Sequence, residues 1–153
     1  MRNIIRIDLK VAVDVAIFNI KGEVLLGRRL AKEGFGMWGF PGGHMNPNET
    51  VKECARRELK EELGQDIKVD ITSEIIAVRE NKIAPNFIHH VTIILKAKLK
   101  SGLPKIMEPQ RCKEWRFVKM KDLDKYSLFS GVGETIKNFK KGKALIVSDW
   151  YIK

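Results

Sequence analysis

Two hydrophobic periodicities divide the chain into predicted strands and helices. Stretches rich in β-branched and aromatic residues predict strands at "KVAVDVAIFNI" (10–20) and "FIHHVTIILKAKLK" (87–100). After Lys21-Gly22 the first is followed at once by "EVLLGRR" (23–29), so these two segments are predicted to form a hairpin. Shorter or less regular stretches predict the remaining strands, at 37–40, 67–81, 113–120 and 144–152.

A four-residue repeat predicts a helix over 49–63. Its buried stripe consists of apolar residues four positions apart, Val51, Ala55, Leu59 and Leu63. Asn48 can cap the helix, Thr50-x-x-Glu53 has the pattern of a capping box, and Gly64 ends it. A helical turn is predicted at 121–126 and a second helix at 133–141. Strands mixed with two helices predict an α/β protein whose helices pack on the faces of a mixed sheet.

The composition points to an anionic partner. The chain of 153 residues carries 29 Lys and Arg against 19 Asp and Glu, a net charge of +10. Such a surface suits phosphate-bearing molecules, nucleic acid or a membrane, although it is equally consistent with a surface that only confers solubility. No apolar run is long enough to span a membrane and the first ten residues lack a secretory pattern, so a cytoplasmic protein is expected. The two cysteines have no metal-binding spacing and are expected to be free thiols.

One helix concentrates negative charge in this basic chain. Glu58, Glu61 and Glu62 are spaced i, i+3 and i+4, which places them on one helix face, where like charges repel. The last two also lie in the final turn, where the helix dipole disfavours anions. A solvated acidic face is one interpretation. A bound divalent cation such as Mg²⁺, held by oxygen ligands and completed by water or phosphate, is the other, and it would remove the repulsion.

The residues around this helix carry a recognisable signature. From Gly43 to Gly64 the sequence has the pattern G-x5-E-x7-R-E-L-x-E-E-x-G. This pattern resembles the signature of the Nudix hydrolases, with Gln65 standing where the family usually has an aliphatic residue. The MutT-like nucleotide triphosphate diphosphatase branch is similar in five segments: "LLGRR", "WGFPGGH", "HHVTIILKA", "MEPQRCKEW" and "LFSGV". The resemblance implies an α/β/α sandwich around a mixed β-sheet, formed by a single domain over residues 1–153.

The resemblance also implies roles for the residues of this signature. It implies that Mg²⁺ or Mn²⁺ is held by Glu58, Glu61, Glu62 and the carbonyl group of Gly42. Glu49 and Arg57 are expected to orient these ligands, since an arginine fork can hold a carboxylate through two hydrogen bonds. The general base is expected to be Glu61 or Glu62, with Glu108 and Glu114 as weaker candidates that are more simply solvated loop residues.

Substrate contacts are expected outside the helix. Arg29 aligns with a phosphate-contacting arginine of the family, whereas Arg28 has no such match. His44 could bond a phosphate or shape the glycine loop, and His89 and His90 are predicted to point to opposite faces of their strand, one of them towards the pocket. By resemblance, the side chain of Thr92 and the backbone of Gly131 and Val132 contact the base. Three aromatic residues could stack on the base or simply belong to the core: Trp38, Phe129 and Trp115.

The leading hypothesis is a metal-dependent enzyme that converts (d)NTPs, including oxidised or modified purine nucleotides, to a monophosphate and pyrophosphate. The alternative is a Nudix enzyme acting on another diphosphate: a nucleotide-sugar, a dinucleotide, capped RNA or an isoprenyl diphosphate. The variable loops at 30–36 and 81–87 are expected to decide between substrates. A homodimer is expected by analogy with the resembling branch.

A third hypothesis is a binding module that has lost turnover, or a basic RNA-binding protein. Loss of catalysis would remove glutamates from the signature, and all of them are present. RNA binding would place aromatic residues among Lys and Arg on one face, and the lysines here are scattered. A small-molecule nucleotide is therefore the expected partner, and nucleic acid and membranes are not.

Overall fold

The computed structural model describes residues 9–83, 88–143 and 145–151. The described residues leave out parts of three predictions. These are most of the variable loop at 81–87, the first residue of the strand at 87–100, and the first and last residues of the strand at 144–152. Eight strands and two α-helices follow in chain order: β1 (Leu9–Phe18), β2 (Val24–Arg29), β3 (Trp38–Gly39), β4 (Gly42–His44), α1 (Val51–Leu63), β5 (Lys68–Ile83), β6 (Ile88–Ser101), β7 (Cys112–Val118), α2 (Val132–Lys140) and β8 (Leu145–Tyr151). A short 3-10 helix, Met120–Lys125, occupies the predicted helical turn.

The strands form one mixed sheet. Its order is β3-β2-β1-β6-β5-β8, with β4 added to β1 and β7 added to β2. The predicted hairpin is confirmed, because β1 and β2 are antiparallel and pair at Phe18 and Val24. In the centre, β1 runs parallel to β6, and β6 runs antiparallel to β5. This mixture of directions agrees with the predicted mixed sheet.

The sheet lies between two helical layers. Val13, Val15 and Ile17 of β1 belong to a buried cluster with residues of α1 such as Leu59. Ala16 of the same strand belongs to a second cluster with Ile136 of α2. Successive side chains of a strand point to opposite faces, so β1 contributes to both cores. The predicted α/β/α sandwich is confirmed.

The ends of α1 are set by two local motifs. Thr50 is the N-cap: its Oγ1 accepts from the Glu53 N–H at 3.2 Å, and Glu53 Oε2 accepts from the Thr50 N–H at 2.8 Å. The prediction that Asn48 caps the helix is wrong, because Asn48 has φ 66° and forms part of the preceding turn. The helix therefore begins at Val51 rather than at 49, and it ends at Gly64 as predicted.

Strand β4 has no counterpart among the predicted elements. Its residues, Gly42–His44, pair with β1 through Asp14 and Gly42, Val13 and Gly43, and Ala12 and His44. Two glycines and a histidine give no hydrophobic alternation, so the sequence pattern does not reveal the strand. The pairing fixes the glycine loop against the centre of the sheet. In the described part of the chain, no helix has the length and apolarity needed to cross a membrane.

Candidate active site

A cavity of about 590 Å³ opens between the glycine loop, α1 and the sheet. Four acidic residues line it: Asp14, Glu33, Glu58 and Glu62. Five arginines also line it, from β2, β5, the loop before β7 and α1: Arg28, Arg29, Arg57, Arg79 and Arg111. A space that combines buried carboxylates with several guanidinium groups is suited to a metal ion and a polyanion together.

The two glycines of β4 make room for the carboxylates of α1. The Gly42 N–H donates to Glu62 Oε2 at 2.9 Å. A Cβ at Gly42 would overlap the backbone of Val13, and one at Gly43 would overlap the carboxyl group of Glu58. Gly42 also has φ 150°, a backbone conformation that other residues rarely adopt. The glycines are therefore needed for the close approach between strand and helix.

Arg57 connects the remaining acidic residues. Its Nε donates to Glu49 Oε1 at 2.5 Å and its Nη2 to Glu49 Oε2 at 3.0 Å, a fork on one carboxylate. Its Nη1 donates to Glu58 Oε1 at 2.7 Å and to Glu61 Oε2 at 3.3 Å. Its Nη2 also donates to the His44 carbonyl at 2.8 Å, which ties α1 to β4. Arg57 thus contacts Glu58 and Glu61, two of the three carboxylates that it was expected to orient, whereas Glu62 is bonded to the Gly42 N–H.

Two carboxyl groups of this region have opposite pKa shifts. Hydrogen bonds from Arg57 and from the Asn46 N–H lower the pKa of Glu49 to about 2. Burial raises the pKa of Glu62 to about 8; the Gly42 N–H opposes this shift, whereas the nearby Glu58 and Asp14 add to it. A buried acid with acidic neighbours is unfavourable as an anion unless a cation lies close to it. Glu62 is such an acid.

In the described part of the chain, the acidic groups near the cavity suit a divalent cation in their chemistry but do not enclose one. Within residues 9–83, 88–143 and 145–151, no three His, Cys, Asp or Glu side chains converge closely enough to enclose a metal ion. The reason is that Arg57 holds Glu58 and Glu61, whereas Glu62 is held by the Gly42 N–H. The chemistry nevertheless fits, because all three are hard oxygen ligands and Glu62 is destabilised as an anion without a cation.

The sequence analysis missed a buried ion pair in the cavity wall. Arg79 Nη2 donates to Asp14 Oδ2 at 3.0 Å, and only 4% of Arg79 is exposed. Burial raises the pKa of Asp14 to about 6, although Arg79 opposes this shift. The sequence signal was weak: Asp14 interrupts the apolar stretch "VAVDVAI", and Arg79 directly follows the apolar stretch "IIAV".

The predicted phosphate-contacting arginine lies in the cavity wall. Arg29 Nε and Nη2 donate to the Glu33 carbonyl at 3.2 and 3.1 Å, and its guanidinium lies 4.0 Å from the ring centroid of Phe129. Burial lowers the pKa of Arg29, which Asp14 partly offsets. Arg28 also lines the cavity and lies 4.0 Å from Glu114. Both arginines thus line the cavity, and the side chain of Arg29 is held by the Glu33 carbonyl and the ring of Phe129.

One of the two adjacent histidines of β6 lines the cavity and the other does not, as predicted. His44 and His90 line the cavity with ring centroids 5.6 Å apart, and burial, followed by His44, lowers the pKa of His90. His89 instead lies 2.5 Å from Glu80 Oε1 and is not part of the cavity wall. Thr92, of which 7% is exposed, lines the cavity beside His90.

Other expected site residues lie outside the cavity wall. Val132 is 1% exposed and its N–H donates to the Phe129 carbonyl, whereas the Gly131 carbonyl accepts from Thr135. The Val132 N–H and the Gly131 carbonyl are thus engaged within the protein.

The remaining candidates are divided between the cavity, the core and the surface. Among the aromatics, Phe129 and Trp115 line the cavity and Trp38 lies in the core. The two weaker base candidates pair with arginines at the surface: Glu108 with Arg111 at 3.7 Å and Glu114 with Arg116 at 2.7 Å.

Comparison with known proteins identifies the family. Residues 8–139 match the NUDIX domain, and the chain belongs to this family. It is 43% identical over 67 residues to an RNA pyrophosphohydrolase of Coxiella burnetii, covering 42% of this chain and 28% of that protein. It is 34% identical over 80 residues to the CTP pyrophosphohydrolase of Escherichia coli, covering 52% and 57%. The matched region therefore spans less than two thirds of either relative.

Solved structures support the same class. A MutT Nudix hydrolase from Burkholderia pseudomallei superposes with a TM-score of 0.73 at 27% identity, covering 85% of this chain and 97% of that one. Nudix enzymes generally use divalent metal ions. The fold, the glutamate-rich helix and the glycine strand of this chain thus agree with the resemblance inferred from the signature.

Proposed function

We propose that this chain is a Mg²⁺- or Mn²⁺-dependent pyrophosphohydrolase that cleaves (d)NTPs to a nucleoside monophosphate and pyrophosphate. The observation that carries the proposal is that one cavity is lined both by Glu58 and Glu62 and by three arginines: Arg28, Arg29 and Arg111. The carboxylates form a metal-binding end and the arginines a phosphate-binding wall. One water is consumed: its oxygen joins a phosphorus atom, and a P–O bond between two phosphates breaks.

Each residue of the signature has a part in this proposal. Glu58, Glu61 and Glu62 would hold the cation, together with the Gly42 carbonyl, while Arg57 and Glu49 position them. A bound divalent cation would supply charge neutralisation of the phosphates and activation of the attacking water. Arg29 would donate hydrogen bonds to the phosphates. His44, which follows the two glycines of β4, would bond a phosphate as well.

We favour Glu62 over Glu61 as general base. A base must reach the water that attacks the phosphate, and Glu62 lines the cavity. The Glu61 side chain is 50% exposed and is directed towards Arg57. Of the two, Glu62 is therefore the one placed beside the space that a phosphate would occupy.

A panel of substrates tests the proposal. With Mg²⁺ present, we expect at least one dNTP to release pyrophosphate and not orthophosphate. When EDTA replaces Mg²⁺, we expect no release of pyrophosphate. The panel contains the four dNTPs, oxidised dGTP, a nucleotide-sugar, triphosphate-capped RNA and geranyl diphosphate. Turnover confined to the last three would replace the proposal by the alternative of another Nudix diphosphate. No turnover of any compound, with nucleotides still bound, would favour a binding module.

Replacing Gly43 by alanine is expected to weaken Mg²⁺ binding roughly tenfold or more, because the added Cβ would displace the carboxyl group of Glu58. Calorimetric titration with Mg²⁺ measures this. The matched control is Gly133→Ala in α2, where the added Cβ meets only the end of the Leu128 side chain. Unchanged Mg²⁺ affinity in Gly43→Ala would show that Glu58 does not need its observed position to bind the cation.

A further inference from the structure

The wall of the cavity holds buried polar atoms that have no hydrogen-bond partner among the described residues. Arg79 is 4% exposed, and its Nε and Nη1 are two of these atoms. The Oδ1 of Asn81 is a third, again within the part of the chain that the structure describes. Both residues line the cavity and lie two positions apart on β5, so their side chains share one face of the sheet. Unpaired buried groups are costly, which points to a ligand that completes them.

The charge around Arg79 argues against a phosphate as that ligand. Arg79 already donates to Asp14 Oδ2 at 3.0 Å, so its positive charge is balanced by a neighbouring carboxylate. Asp14 also raises the pKa of Glu62, so a second carboxyl group lies near this ion pair. A phosphate bound to Arg79 would therefore lie beside Asp14, whereas the same cavity offers three further arginines to a phosphate: Arg28, Arg29 and Arg111. A neutral group with hydrogen-bond acceptors suits Arg79 best.

Arg79 is also held firmly in place. A Cβ added at Gly131 would overlap Arg79 Cδ and lie 3.1 Å from Nη1. Gly131 thus allows the loop before α2 to cover the arginine, while Asp14 fixes its far end. A rigid donor group of this kind can discriminate between ligands, because the wrong partner cannot be accommodated by movement.

The proposed function supplies a neutral candidate, the nucleobase. We propose that Arg79 and Asn81 read the base and select keto bases over amino bases, which rests on the function proposed above. In a keto base, the exocyclic oxygen (position 6 of guanine or hypoxanthine, position 4 of uracil or thymine) accepts from Arg79. The adjacent ring N–H donates to Asn81 Oδ1. Adenine and cytosine in the same pose place an amino donor against Arg79 and a bare ring nitrogen against Asn81, so both contacts fail.

Inosine and adenosine monophosphate form a matched pair of probes, because they differ only at these two positions of the ring. We expect the wild-type protein to bind IMP roughly tenfold or more tightly than AMP in calorimetric titrations. Arg79→Met is expected to bring the two affinities close together. Asn81→Leu should do so in part, and it breaks no buried ion pair, so it carries the test if Arg79→Met fails to fold. Lys98→Met, an exposed lysine on β6, is the control for loss of positive charge and should keep the wild-type preference.

Two further measurements separate this proposal from the one it rests on. Pyrophosphate binding should be unchanged in Arg79→Met, and its loss would make Arg79 a phosphate ligand and overturn the proposal. Pyrophosphate release from ITP and ATP is measured in parallel. If the wild-type protein hydrolyses ITP and ATP with equal kcat/KM, base reading is overturned. An IMP preference that survives in both Arg79→Met and Asn81→Leu overturns it too. Either result leaves the proposed function standing. A wild-type protein that neither binds nor hydrolyses any nucleotide would overturn the proposed function as well.

Discussion

Replacing Glu62 by glutamine is expected to lower kcat for triphosphate cleavage by roughly a hundredfold or more, and at the same time to raise the melting temperature of the metal-free protein. The loss of activity follows from removing a charged ligand and the favoured general base. Glutamine keeps the shape of the side chain, and its oxygen can still accept from the Gly42 N–H. The variant should therefore fold as the wild-type protein does.

The gain in stability follows from the pKa of Glu62. Burial raises it from 4.5 to about 8, so between these pH values the folded protein keeps a proton that the unfolded chain releases. The unfolded state binds fewer protons there, and the stability of the wild-type protein falls as the pH rises. Glutamine carries no titrating proton and escapes this loss. The difference in melting temperature between variant and wild type should be small below about pH 4.5 and largest near pH 8.

Both effects are measured on one pair of proteins. Pyrophosphate release with saturating Mg²⁺ gives kcat, and thermal melts in EDTA between pH 4.5 and 8 give the stability difference. Glu134→Gln, an exposed glutamate in the first turn of α2, should change neither greatly. Full activity in Glu62→Gln would contradict the metal role. A melting difference that stays constant over this pH range would contradict the raised pKa.

The parts of the fold that the sequence predicted are those with local signals. The capping box of Thr50 and Glu53 and the stop at Gly64 involve residues close in the chain, and both were found. Asn48 was wrongly predicted as a cap because asparagine is a good capping residue and stands only two positions before the true N-cap, Thr50. Strand β4 was missed because its pairing with β1 is made over some thirty residues of chain by glycines that carry no hydrophobic pattern.

The same distinction explains which site residues were found. The signature places Glu49, Arg57 and Glu58 within ten positions, and the structure joins them by hydrogen bonds. Asp14 and Arg79 are 65 positions apart, so nothing local indicates that they pair. Their burial depends on how β1, β6 and β5 are ordered in the sheet, which hydrophobic periodicity does not determine. A charged residue in each of two largely apolar strands was visible in the sequence. Only the order of the strands shows that these two residues lie close enough to pair.

Arg57→Met is expected to lower both Mg²⁺ affinity and kcat roughly tenfold to a hundredfold, because residues that orient metal ligands typically matter to this extent. The variant loses the fork on Glu49, the bonds to Glu58 and Glu61, and the bond to the His44 carbonyl. Without these bonds three carboxylates repel one another and Glu58 is no longer aimed at the cavity. Mg²⁺ titration and steady-state kinetics give the two quantities.

Arg57→Lys separates geometry from charge. Lysine keeps the positive charge but cannot place planar donors on Glu49, Glu58 and the His44 carbonyl together, so we expect it to recover less than half of the lost activity on a logarithmic scale. Arg56→Met, the exposed arginine one position earlier on α1, controls for loss of charge on this helix and should retain wild-type kinetics. Full recovery by lysine would show that Arg57 only neutralises the glutamates. Reduced activity with unchanged Mg²⁺ affinity would instead place its effect on the bound substrate, because the ligands would then be positioned without it.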